Sequence, residues 1–384
     1  MTGGHPRVIV VGTGIIGLSL AHSLVRRGAR VTLIDAAGTT SGTTATSYAW
    51  INSHKKEPLG YHRLNVEGVA AWREVARTDP AAVTFAGHVE IAAAEAHRAG
   101  LRARVERLQQ RGYGAAWITP AEARSRTVVD VPDDSLAAAF DGEGHAYPLR
   151  RIETLRRALD ASGKAETATA TVTSVTALED GVEVGTDAGT FEADAAAICA
   201  GNGSSQLVAT AGGRLPLVPA VQDGPAFGYL ADAHVPGHGV TGLVTTDLLS
   251  LRPHGPDDLL LQALDLDHDA QPGVAAPAAT VREFAQRLGA VLPSRAGRVD
   301  GVRVGHRVIP ADGVTAAGPV VAGSPVFAVV THSGVVLAPW LAEVMADEIL
   351  GGDPHPLLDG FRPDRFLAGA PSAPLAAPRS PGDQ

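Results

Sequence analysis

Cysteine occurs once in the 384 residues, at Cys199. A single thiol excludes an internal disulfide and a cysteine-cluster metal site. No metal site is expected elsewhere in the chain, and the cysteine usage fits a reducing compartment. Lysine is nearly as scarce, confined to Lys55, Lys56 and Lys164, so arginine carries almost all of the positive charge. Aromatic residues make up 4% of the chain, too few for a platform on which bases stack. The net charge of −9 repels a phosphate backbone on average, and a nucleic-acid partner is disfavoured on both counts. Long apolar runs are also missing. Val8 to Leu20 spans only about 13 residues, against the roughly 20 that cross a bilayer. Gly12, Gly14 and Gly17 interrupt it, and no small-residue cleavage site follows. The expectation is a cytoplasmic protein without a membrane span.

What the chain does have is 45% apolar residues with 44 glycines and 26 prolines, the composition of an α/β enzyme with many tight turns. At about 150 residues per unit, its length suggests two or three domains. Arg7–Val11 reads as a strand buried on both faces. Gly12-Thr-Gly14-Ile15-Ile16-Gly17 follows, then a helix over Ile15–Arg27 with Ile16, Leu20 and Leu24 on one face. Gly28 suits the helix end, and Val31–Ile34 is the next strand, closed by Asp35. Strand, glycine turn, helix, strand and acid make a dinucleotide-binding unit. Gly12 permits the turn, Gly14 admits a pyrophosphate, and Gly17 lets the helix pack on the strand. The helix N-terminus attracts the phosphates, and Asp35 is placed to accept from a ribose and to repel a 2′-phosphate. This unit alone does not choose between FAD and NAD.

Later segments bear on that choice. Thr39 to Ser47 is rich in small hydroxyl residues that can hydrogen-bond phosphate and flavin edges, and Tyr48-Ala-Trp50-Ile-Asn-Ser53 follows. Gly144-His145-Ala-Tyr147-Pro148 opens a helix, and Ala200-Gly201-Asn-Gly-Ser204 makes another glycine turn. Near the end stand Gly305-His306-Arg307 with Asp312-Gly313, the strand Val326–Val330, and Thr331-His332-Ser333-Gly334. A helix is expected from Trp340 to Leu350, with Pro339 in its first turn.

These motifs, in this order, resemble the D-amino-acid-oxidase-like family of FAD-dependent oxidoreductases, of the glycine oxidase and monomeric sarcosine oxidase type. The resemblance runs from about Arg7 to Gly352. It implies an α/β fold in which a Rossmann-type FAD-binding domain (1–80, 145–210 and 300–352) is interleaved with an α+β substrate domain (81–144 and 211–299) on a mostly antiparallel sheet. It implies FAD contacts from Gly12, Gly14, Ile15, Ile16, Gly17, Asp35 and Ala36, and from Ser41, Thr43, Thr44, Thr46 and Ser47. Val172, Ala200 and Gly201 would meet the cofactor too, as would Ser333, Gly334, Val335, Val336 and Leu337. Family chemistry is oxidation of a C–N bond in an amine, amino acid or N-alkyl amino acid, yielding an imine and, with O2, H2O2.

Other residues agree with this plan. Thr119-Pro-Ala-Glu122 is a capping box, Ile152, Leu155 and Leu159 form a helix stripe, and Thr169–Val175 and Val182–Thr186 read as strands. Residues 364–384, rich in Pro, Ala and Ser, are expected to be a disordered tail.

By the resemblance, Arg307 pairs a substrate carboxylate, because its planar fork suits that group. The competing reading is a structural salt bridge, with Asp312 a candidate partner. Arg252 and Arg303 could serve instead. His332 faces flavin and pocket, and Tyr48, Trp50 and His54 wall the site. Cys199 reads as a core residue, so FAD is expected to bind non-covalently, with attachment through a histidine left open. The sarcosine-oxidase type uses a lysine near the flavin to assist O2, and Gln262 stands at that position here. An FAD dehydrogenase that passes electrons to another acceptor is therefore the alternative to an oxidase. An NAD-dependent dehydrogenase, a flavin monooxygenase and a binding module fit the late motifs less well.

Overall fold

The apolar run Arg7–Val11 forms an interior strand of a six-stranded sheet, paired in parallel with Arg30–Asp35 on one side and Ala195–Ile198 on the other. The computed structural model describes residues 5–37, 42–369 and 375–381. Side chains alternate along the strand. Val8 and Val10 face a core with the helices Ile15–Arg26, Pro148–Ser162 and Gly334–Ile349. Ile9 and Val11 face the opposite core, under the antiparallel meander Val172–Leu178, Gly181–Thr186 and Gly189–Ala193. The sheet continues through Val326–Val330 to Ala316–Pro319, and ends on the other edge at Ala165–Thr169.

A second sheet has eight strands, all antiparallel except where Leu243–Thr245 runs parallel to His88–Ala92. Its apolar face (Val89, Val244, Leu251, Leu259 and Leu261 among others) packs with Phe284 and Leu288 of the helix Ala278–Val291. Its other face is polar. The register sets His88 against Leu243, Glu90 against Thr245, Thr245 against Ser250, Ser250 against Gln262 and Arg252 against Leu260. This polar face meets the segment after the hydroxyl-rich loop, and Arg252 Nε donates to Tyr48 O at 2.6 Å. A small sheet of Trp50–Ile51, Gly144–Ala146 and Val83–Thr84 lies between the two. The fold is α/β, with a Rossmann-type unit and a mostly antiparallel second sheet.

Four sequence expectations need correction. Strand Arg298–His306 belongs to the eight-stranded sheet, so the boundary expected at residue 300 falls after residue 306. The strand expected over Thr169–Val175 is split, because Ala170 N donates to Asp35 O while Thr171 N turns to Asp187 Oδ1. The late helix begins at Gly334, and Pro339 lies inside it. A proline there removes one N–H and leaves the carbonyl four residues back without its donor. Trp72 Nε1 fills that gap, donating to Val335 O at 2.8 Å. Trp72 lies on the helix Leu59–Thr78, which comes close to the late helix at Gly68, where a Cβ would sit 2.6 Å from Val336 O.

The expected tail is the fourth correction for residues 364–369 and 375–381; residues 370–374 and 382–384 lie outside the described residues. Phe366 is buried, Arg365 pairs with Asp312, and Arg379 reaches Asp223 across the body. Thr119 caps its helix as expected, accepting from Glu122 N with Pro120 in the first turn.

Candidate active site

A cavity of about 790 Å³ runs from the first glycine turn, under the meander, to the polar face of the eight-stranded sheet. Backbone chemistry builds its first end. Gly12 has φ +103°, and a Cβ there would sit 2.4 Å from Cys199 O, so only glycine lets the two strand ends meet. Gly14 precedes the helix Ile15–Arg26 in extended conformation, with no side-chain cap on the helix. The first helical N–H groups therefore lack intrahelical partners. One of them, Ile15 N, finds Thr44 Oγ1 at 3.2 Å. Gly17 does not line the cavity. Its missing Cβ would lie 1.9 Å from Gly12 O, so it serves by close packing of helix on turn. Asp35 Oδ2 accepts from Thr13 N and Thr13 Oγ1 at 2.8 and 2.9 Å, and Oδ1 accepts from Ala37 N. A carboxylate at the end of this strand is the type of group that accepts from a ribose hydroxyl. These groups fit a dinucleotide.

Along the middle, Ile16, Ala36, Thr43, Thr46, Ser47 and Val172 line the cavity, with Ala200 and Gly201 across from the first turn. Thr43 Oγ1 is committed to His306 O at 2.7 Å, and Ser47 Oγ accepts from Ala49 N. Ser41 lies outside the described residues. Cys199 is buried, and burial pushes its thiol up to about 12, which keeps it protonated and unreactive.

At the far end, Ser333 precedes the helix Gly334–Ile349. The N–H groups of Gly334, Val335 and Val336 have no intrahelical acceptor and open on the cavity wall. Leu337 departs from expectation. Its N–H bonds Ser333 O at 2.9 Å and its side chain is buried in the helix-side core, so it does not line the cavity. Tyr48, Trp50, Asn52, Leu230, Gln262 and His332 complete the wall with Arg307 and Lys56.

Arg307 is paired with Asp267 at 2.7 Å, while Asp312 belongs to Arg365. Arg307 Nη1 donates to Phe227 O and Pro225 O, and Nη2 to Asp267 Oδ2. Among the described residues Nε–H has no acceptor. His332 is pushed down to about 3 by burial and by the charges of Lys56 and Arg307, so its imidazole is neutral at pH 7. Burial raises the Tyr48 phenol above its usual range, and its hydroxyl has no partner among the described residues.

Lys56 is the residue that sequence reading missed. It is buried in the wall, and burial brings its ammonium down to about 8 although Glu143 opposes the shift. Its scarcity was the only signal, since no motif marks Lys55-Lys56. Arg252 is not available to a ligand: it is fully buried behind Tyr48, with its guanidinium 5.6 Å from that ring. Arg303 pairs with Asp232. His54 is buried away from the cavity against Glu90, and His145 packs on Tyr147.

Residues 7–348 match a protein family described as FAD dependent oxidoreductase. Solved structures share the fold. Glycine oxidase from Geobacillus kaustophilus superposes with a TM-score of 0.81 at 20% identity, covering 94% of this chain and 99% of that one. L-proline dehydrogenase from P. horikoshii gives 0.77 at 18% identity, with 95% and 99% covered. Iminodiacetate oxidase from Chelativorans sp. BNC1 gives 0.76 at 19%, with 93% and 99% covered. Among the described residues no helix is long and apolar enough to cross a membrane.

Proposed function

The chain belongs to the FAD-dependent oxidoreductase family of D-amino acid oxidase type, and from that footing we propose that it oxidises the C–N bond of a small amino acid or N-alkyl amino acid with non-covalent FAD. The observation that carries this reading is the single cavity with a dinucleotide turn at one end and Arg307, His332 and Lys56 at the other. Solved relatives named for glycine, L-proline and iminodiacetate give the substrate class its direction.

The chemistry that FAD would supply is acceptance of a hydride equivalent from the substrate α-carbon. The chain supplies placement and field. The Gly12–Ile16 turn would hold the pyrophosphate, and Asp35 the ribose. The amides of Gly334 to Val336 would present positive partial charge to the electron-rich edge of the ring. Arg307, held in place by Asp267, would bind a substrate carboxylate. Neutral His332 accepts a hydrogen bond from the substrate nitrogen, which must shed a proton before oxidation. Tyr48 and Trp50 wall the pocket.

Lys56 supports O2 as the electron acceptor. A buried ammonium beside the reacting centre favours the anion formed when O2 takes an electron. This favours an oxidase that yields H2O2 over a dehydrogenase. An anaerobic flavin-bleaching screen across amino acids and secondary amines identifies the substrate. Reduced enzyme is then mixed with aerated buffer. Reoxidation within seconds supports the oxidase reading, and flavin that stays reduced for minutes overturns it.

A further inference from the structure

Beneath Trp50 and Lys56, outside the cavity, lies a buried file of ionisable side chains that the proposed chemistry leaves unused. Glu143 is fully buried and accepts from Trp50 Nε1 at 2.9 Å and from Tyr113 OH at 2.8 Å. His54 Nδ1 lies 3.3 Å from Glu143 Oε1. His54 Nε2 lies 3.0 Å from Glu90 Oε2, and Glu90 Oε1 lies 2.8 Å from His97 Nε2. His97 Nδ1 reaches Asp247 Oδ1 at 2.9 Å, and Asp247 is open to solvent. On the inner side, Lys56 and Trp50 line the cavity, and Trp50 is the wall residue that bonds Glu143.

We propose that Lys56, Glu143, His54, Glu90, His97 and Asp247 form a proton path between the cavity and solvent. The proposal rests on the reading that the cavity holds a flavin. Amine oxidation must discharge a proton from the substrate nitrogen, and return of the flavin to its oxidised state moves another. Lys56, an ammonium at neutral pH, passes its proton to Glu143 and is recharged by the proton that the substrate nitrogen sheds. Each imidazole accepts at one nitrogen and releases from the other, so charge moves and no bond to carbon changes. His54 Nδ1 has no well-aligned hydrogen bond in the resting geometry, which leaves it the joint that a small ring rotation closes.

His54, His88 and Glu90 are also grouped as metal ligands would be. Arg104 already occupies that centre. Its Nη2 is 3.0 Å from Glu90, and its Nη1 is 2.9 Å from His54 Nε2.

The test uses Asp247→Asn and His97→Gln, because Asp247 is partly exposed and the first substitution keeps one of the two acceptor oxygens that receive the amides of Ala93 and Ala94. In the apoprotein, 15N-histidine NMR reads the rings directly. Asp247→Asn is expected to shift the signals of His97 and, through Glu90, those of His54. Movement confined to His97 breaks the path.

In the flavoprotein, photoreduced enzyme is oxidised by ferricenium with a pH dye present. Two ferricenium ions take two electrons, and one proton per flavin must reach the bulk. In both variants proton release is expected to lag flavin oxidation by about 100-fold, the scale of a lost proton-transfer group. Imidazole should restore it in His97→Gly. Parent-like release in variants that retain FAD and thermal stability overturns the path, as does a stoichiometric transition metal in the parent protein. A chain that never takes up FAD fails the reading of the cavity instead, so the two failures are distinct.

Discussion

The two ends of the cavity are made of different materials. At the phosphate end the working groups are amides and the absence of side chains: Gly12 and Gly17 are required because backbone oxygens stand 2.4 and 1.9 Å from where a Cβ would be. At the substrate end the working groups are long side chains held by distant partners, as Arg307 is by Asp267. A site built from backbone tolerates almost no change at its glycines. A site built from side chains can be retuned one group at a time without loss of the cofactor.

Substitutions at each end probe that contrast. Gly12→Ala combines a clash with positive φ, and about 3 kcal/mol of strain should weaken FAD binding by 100-fold or more, read by flavin fluorescence titration. If affinity holds, the phosphate end is not backbone-limited. Arg307→Ala removes the carboxylate fork. KM for the best substrate should rise by about 100-fold with FAD still bound, the worth of about 3 kcal/mol in charged hydrogen bonds. An unchanged KM removes Arg307 from the substrate role.

Lys56→Met should slow reoxidation by O2 by about tenfold, corresponding to about 1.4 kcal/mol of electrostatic help. The parent rate should fall as pH rises through about 8, where Lys56 loses its proton, and the variant should lose that limb. The same depressed value has a stability consequence. The unfolded chain keeps its lysine charged to higher pH and binds more protons between about 8 and the ordinary lysine value, so this group's contribution to stability rises with pH across that window. Trp72→Phe is the mildest change. It leaves Val335 O without a donor and should cost about 1 kcal/mol, visible as a small fall in Tm.

Legibility in the sequence divides along the same line. The phosphate end could be read because strand, glycines, helix and acid fall between Arg7 and Asp35, and each has a local physical role. The split at Ala170 and the start of the last helix could not. Proline at 339 reads as a helix opening, and only the distant indole of Trp72 lets the helix begin five residues earlier. The substrate wall was half legible. Tyr48, Arg307 and His332 came from motif order, whereas Lys56 and the Asp267 partner follow no spacing rule, because the fold alone brings them together. The polar face of the eight-stranded sheet was hidden for the same reason: period-two alternation marks which residues share a face, not that His54 joins Glu90 to Glu143.

The bond from Trp72 to Val335 also imposes an order on synthesis. It joins positions 263 apart, so the helix end that would face the flavin ring is not pinned until nearly the whole chain has left the ribosome. At roughly 5–20 residues per second, Arg7–Asp35 emerges some 15–60 s before this helix, whose Leu337, Trp340 and Met345 share its core. Until that helix arrives, neither end of the cavity is complete.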